Sequence, residues 1–234
     1  MINAVIEYNN DGCLVYAENF IGAYTRAKTI NEALTKLPFE VQSYCKWLGI
    51  DCELSQDINI TKKFFTDVPV CDADTEILFD SEALSVTKKE YNLLKNIVMK
   101  SANDVMTLYS SIPDKDKTTL LPRKTFYGDV PITANEMLSH MNCITYYYLM
   151  QVGVKGENNF PDLIINRETA FTSLEVLVDY LMKPVVVGSF AEQWSVRKVL
   201  RRFIWHDRIH AKAMWRLATS IWGDSVQNPF YFIK

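Results

Sequence analysis

The chain contains three histidines, and their placement is the feature that could do chemistry. His206 and His210 stand four apart in Trp205-His206-Asp207-Arg208-Ile209-His210, and His140 stands alone far upstream. Residues four apart on a helix lie on one face about a turn away from each other, so both imidazoles can address one point. At roughly 100° per residue, Val196, Val199, Leu200, Phe203, Ile204, Met214, Leu217 and Ile221 fill one arc of that helix. His206, Asp207 and His210 fall with this apolar arc, and His140, a turn from Met137 and Ile144, sits at the edge of its own. The three rings can therefore converge in a helical interior. A bare HxxxH pair is more often a pair of satisfied core histidines, but a third imidazole from another helix completes the ligand set of an open metal site. All-nitrogen ligation suits zinc, nickel, iron or copper, and disfavours magnesium and calcium.

Other groups near these motifs have two readings each. Asp207 lies in the middle of the apolar arc, where an unpaired carboxylate costs several kcal/mol, so it needs a partner. It is a candidate catalytic residue, orienting a histidine or accepting a proton; equally, it could pair with an arginine from another helix. Glu136, a turn before His140, is explained by a capping box, Thr133-Ala134-Asn135-Glu136. Arg123, in the Pro-flanked loop before that helix, is the candidate for an anionic substrate group, against the commoner reading of a surface arginine with no task. Arg197, Lys198, Arg201, Arg202, Arg208, Lys212 and Arg216 fill the arc opposite the histidines and read as a solvated face. Trp205 among them suggests a contact with the N-terminal part of the chain or with a second subunit. His206-Asp207-x-x-His210 as a variant of the HExxH zinc hydrolases is disfavoured by its shorter acid.

The elements that must position these residues follow from periodicity. Ile2 to Tyr8 and Cys13 to Ala17 read as a β-hairpin across Asn9-Asn10-Asp11-Gly12. Thr29-Ile30-Asn31-Glu32 opens a helix that Pro38 should kink or split, and Ile58 to Phe65 reads as a further strand. Between Thr66 and Asp80 the pattern breaks into an acidic, turn-rich connection, taken as the boundary between a domain over 1–70 and one over 75–234. Four helices follow: from Thr87 to before Pro113, from Thr133, from Asn166 to Met182, and from Ser195 to Trp222. The fold class expected is thus an α+β N-terminal domain followed by an all-α four-helix bundle.

Composition narrows the function classes. The 234 residues are 48% hydrophobic and 23% charged, with a net charge of −3, so no positive field exists to hold a nucleic acid. Five cysteines (Cys13, Cys45, Cys52, Cys71, Cys143) are an odd number with no CxxC, which suggests neither a disulfide scaffold nor a zinc ribbon and fits a reducing cytoplasm. The N-terminus does not read as a secretory signal. The longest uncharged stretch, Met137 to Val154, carries Ser139, His140, Asn142, Thr145 and Gln151 and reads as a buried helix rather than a membrane span.

Residues 75 to 225 resemble the DinB-like (YfiT-like) superfamily of metal-binding four-helix bundles. The carrying motifs are Ile132-Thr133-Ala134-Asn135-Glu136-Met137-Leu138-Ser139-His140 and the run from Trp194 through His210. The resemblance implies that His140, His206 and His210 bind a divalent metal, and that the reaction is a transfer or isomerisation using a low-molecular-weight thiol. The first 65 residues resemble the HicB-like fold, through the strands around Asn9-Asn10-Asp11-Gly12, then Phe20-Ile21-Gly22 and Thr29-Ile30-Asn31-Glu32-Ala33-Leu34. No DNA-binding segment follows, so this part reads as an accessory unit for dimerisation, ligand gating or partner binding.

Two functions stay open on the sequence. In the first, a cytoplasmic metalloenzyme with a three-histidine site acts as a thiol-dependent transferase or isomerase, or as a hydrolase; a small-molecule thiol is its partner and a homodimer its assembly. In the second, a non-catalytic module carries a structural metal or none. An open position facing a pocket favours the enzyme, and a closed, dry triad favours the module.

Overall fold

The computed structural model of the chain describes residues 1–51, 56–125, 128–158 and 160–233. Its N-terminal strands form where the alternation places them, β1 at Ile2–Tyr8 and β2 at Cys13–Ala17. The turn between them is closed by Asn9, whose backbone N–H donates to Gly12 and whose Oδ1 accepts from the Asp11 N–H at 2.8 Å. A third strand that the pattern did not suggest, β3 at Tyr24–Ala27, pairs antiparallel with β2. It is only four residues long and has one buried position, too short for alternation to register.

Helix α1, Ile30–Leu48, opens on the Thr29 cap and closes on Gly49 in the left-handed region at φ 64°. It runs through Pro38 as one helix, so of the two expected outcomes, a kink or a division into two shorter helices, the division does not occur. Pro38 is buried in the packed face, and tertiary packing offsets the lost backbone hydrogen bond. Strand β4, Ile58–Phe65, then returns parallel to β1, giving the order β3-β2-β1-β4.

The two central strands, β1 and β2, are buried on both faces. Ile2, Ala4 and Ile6 of β1 with Cys13, Val15 and Ala17 of β2 pack in one core with α1 and the later helices. The pleat turns Val5, Leu14 and Tyr16 the other way, onto Val70, Ile77 and Phe79 of the acidic connection and onto Trp205. The connection is thus a packed layer, and Trp205 makes the contact with the N-terminal part foreseen as one of its two alternatives.

The helices that follow are α2 (Lys88–Ser111), α3 (Ala134–Met150), α4 (Leu163–Glu175) and α5 (Val196–Trp222). Capping boxes at Thr87/Glu90 and Thr133/Glu136 open the first two. Helix α4 is displaced from the expected Asn166–Met182. Asp162 caps it three residues earlier by accepting from the Ile164 and Ile165 N–H groups, and it stops before Asp179, which adopts φ 55°. Helix α5 packs on α2 and α3, and α4 packs on α2 and α3. Two short hairpins, β5 (Lys124–Thr125) with β6 (Gly128–Asp129) and β7 (Val186–Val187) with β8 (Gln193–Trp194), lie in the connections. The chain is therefore a mixed α+β structure, an N-terminal sheet and helix followed by helices. Among the described residues no helix is long and apolar enough to cross a membrane.

The basic arc of α5 is where the structure departs most from the sequence reading. Lys198, Arg201 and Arg208 are buried, and each meets a carboxylate from a different element: Glu192, Glu82 and Glu40. Arg208 reaches Glu40 of α1 at 2.7 Å and lies over the rings of Tyr44, Trp47, Phe230 and Phe232. The hydrophobic wheel mistook this face for a solvated one because it cannot see partners supplied by remote segments. The β2–β3 loop also approaches α5 closely. A Cβ added at Gly22, which has φ 100°, would stand 2.3 Å from the Ile204 side chain.

Removing Glu40 would leave the Arg208 guanidinium buried without its anion. Glu40→Ala is expected to cost about 3–5 kcal/mol in chemical denaturation, whereas an exposed ion-pair variant such as Glu32→Ala should leave the denaturation midpoint almost unchanged.

Candidate metal centre

The site is built on two helix starts. Thr133 and Glu136 satisfy each other's backbone N–H groups and fix the entry of α3. The Ser195 hydroxyl accepts from the Lys198 N–H at 3.1 Å and fixes that of α5. Glu136 is thereby committed to its cap, as its spacing indicated. Two turns into α3 stands His140, and in the middle of α5 stand His206 and His210.

The three imidazoles converge. Their ring centroids are 4.4–5.0 Å apart, and Nε2 of His140 lies 3.1 Å from Nε2 of His206. One nitrogen of each lies within 4.8 Å of the other two. Two nitrogens bound at about 2.0–2.1 Å to one tetrahedral metal lie roughly 3.3 Å apart, so this spacing suits a shared ion. Burial lowers the pKa of all three below the usual imidazole value; repulsion from the other rings adds to this at His206 and His210, and His210 is held at about 3. They are neutral near pH 7, with lone pairs free for a metal. Nδ1 of His206 is buried with no hydrogen-bond partner, so no fixed partner is on hand to dictate that ring's tautomer. The residues present fit a divalent transition metal.

Asp207 takes the arginine-paired arrangement. Its carboxylate receives Arg167 of α4 in a two-pronged contact at 2.5 and 3.1 Å, together with the Ser101 hydroxyl of α2. All of this is fully buried and outside the cavity described next, so Asp207 ties α5 to α2 and α4 next to His206.

The histidines line a cavity of about 620 Å³. One wall is α3 and α5, with Met137, Ile144 and Ile209 among its apolar groups; the facing wall is Tyr24 and Arg26 of β3 and the segment from Asp72 to Glu76. Arg123 lies on this cavity too, ion-paired with Asp72. The sequence thus located one cavity arginine, but gave no hint of Arg26, Arg202, Tyr24 or Asp74. Tyr24, Arg26 and Asp74 face the site only because the sheet and the connection fold over α5, which no local spacing encodes; Arg202 stands on α5 itself, one turn before His206, and lines the cavity rather than the solvated arc assigned to it. Of the cysteines, Cys13, Cys71 and Cys143 are free thiols and Cys45 is disulfide-bonded, a feature that a reducing compartment does not favour. Cys52 lies outside the described residues.

Comparison with family models, curated proteins and solved structures gives no match for the chain.

Replacing His140, His206 or His210 with Ala should reduce bound metal from about one per chain to a small fraction, read by elemental analysis, with helical circular dichroism retained. Full metal content in all three variants would remove the site.

Proposed function

We propose that the chain is a metal-dependent enzyme of the DinB-like kind, its four later helices forming the bundle and its HicB-like N-terminal part closing the cavity. In this reading His140, His206 and His210 hold one divalent ion, zinc or nickel first. The observation that carries it is that the neutral imidazole cluster opens onto a cavity large enough for a small molecule, with polar and charged side chains on the facing wall. A closed, dry triad would have favoured the non-catalytic module.

When bound, the ion would supply a positive centre that lowers the pKa of a thiol or water at the cavity floor. The protein's own residues do the rest. Burial keeps the three imidazoles unprotonated. The Asp207–Arg167–Ser101 cluster fixes the helix that carries two of them. Neither described free thiol on the surface, Cys71 or Cys143, lines the cavity, so the nucleophile comes from a small thiol or from water. Arg123 is the candidate for an anionic group of the substrate. The reaction is then thiol-dependent transfer or isomerisation, with hydrolysis as the second reading.

The test is a titration of cobalt-substituted protein with 2-mercaptoethanol. A thiolate-to-cobalt charge-transfer band is expected at millimolar thiol; its absence would move the assignment to water chemistry or to a non-catalytic module.

A further inference from the structure

We propose that Asp74 is a further catalytic residue of this cavity, exchanging a proton with the molecule bound between it and the three histidines. The inference rests on the reading of the cavity as a reaction site and adds to it the acid–base group that the histidines, committed as ligands, do not provide.

Three observations carry it. Asp74 lines the same cavity as His140, His206 and His210. Its Oδ2 is buried without any hydrogen-bond donor, an arrangement unfavourable for a permanently ionised carboxylate and suited to one that holds a proton part of the time. The segment that carries it is also firmly held. Val70 is fully buried, Ala73 adopts φ 70°, and the Asp74 N–H donates to the Pro69 carbonyl. Glu7 of β1 accepts from the Thr75 hydroxyl and from the Glu76 N–H, while Arg202 of α5 donates to the Thr75 carbonyl and Lys198 to that of Glu76. A carboxyl group so placed is presented to the cavity by backbone anchored on both sides.

Its surroundings set the direction of its titration. Burial is the largest effect, and the neighbouring Asp72 and Glu7 carboxylates also disfavour a second negative charge; Arg202 and Arg123 act the other way. The balance pushes the Asp74 carboxyl up to about 6. Near pH 7 it is mostly ionised yet close enough to its midpoint to accept and return a proton, the condition under which general acid–base catalysis is efficient. For a thiol substrate the step balances simply. The S–H bond breaks, its electron pair stays on sulfur, and the proton forms an O–H bond on the Asp74 carboxylate; on the return, that proton passes to the leaving group. No oxidant or reductant is needed.

Two measurements on the full chain test this. In metal-free protein, the carboxyl carbon of Asp74, assigned by its loss in Asp74→Asn, should titrate by NMR near pH 6; a midpoint near 4 overturns the proposal. In cobalt-substituted protein, the rate at which the 2-mercaptoethanol charge-transfer band forms should rise with pH through the same midpoint. Asp74→Asn should slow it at least tenfold and remove that step, with metal content unchanged, and Asp74→Glu should restore part of it. A band that forms in Asp74→Asn with the wild-type rate and pH profile overturns the role of Asp74 alone. No band in the wild type overturns the thiol reading and this proposal with it.

Discussion

A charge taken out of water must meet an opposite charge or be expelled, and α5 is built around that constraint. The helix buries Lys198, Arg201, Asp207 and Arg208, and no two of them share a partner. Glu192 comes from the strand-bearing loop before α5, Glu82 from the connection, Arg167 from α4 and Glu40 from α1. Each ion pair adds little net stability by itself, because desolvation offsets most of the attraction. Their common effect is positional: shifting α5 by a turn or rotating it would strand several buried charges at once, so one register is far below its neighbours in energy. The aromatic enclosure of Arg208 and the close approach of Gly22 to Ile204 add shape to the same specification.

The histidines inherit that register. His206 follows Trp205 and precedes Asp207 and Arg208, so the residue before it is packed on the sheet and the two after it are locked to α4, α2 and α1. Two of the three imidazoles are thus held by Trp205, which also lines the cavity, and by Asp207 and Arg208, which stand outside it, and the third comes from a helix whose start is fixed by its own cap. The connection between the sheet and the helices completes the arrangement by covering the second face of the sheet and supplying the cavity wall opposite the histidines. The parts read as separate along the chain meet at the site.

What could be read from residues alone was local. Strand and helix limits at Ile2–Tyr8, Cys13–Ala17, Ile58–Phe65 and Val196–Trp222 follow from alternation, an Asp-Gly turn and capping residues, all of which act within a few positions. The histidine triad was legible because two members share a helix face and the third is the only other imidazole available. Long-range effects escaped. The α5 cations looked solvated because Glu40 and Glu82 are far away in sequence, and the 66–80 segment looked like a linker because its acids obscured the apolar anchors Val70, Ile77 and Phe79. Asp162 outranked the apolar spacing as the start of α4, and packing kept α1 whole through Pro38.

The separation in sequence of these partners also bears on the order of events during synthesis. Glu40 waits for Arg208, 168 positions on, and the Ser43 hydroxyl for the carbonyl of Tyr231, 188 positions on. At roughly 5–20 residues per second, about ten to thirty seconds pass before a ribosome that has made α1 delivers its counter-charge. Over that interval the sheet has one face without Trp205 and α1 has a carboxylate without its cation. The nascent N-terminal half therefore emerges as an unfinished surface, and α5 acts as the clasp that ends its exposure to aggregation and to chaperones.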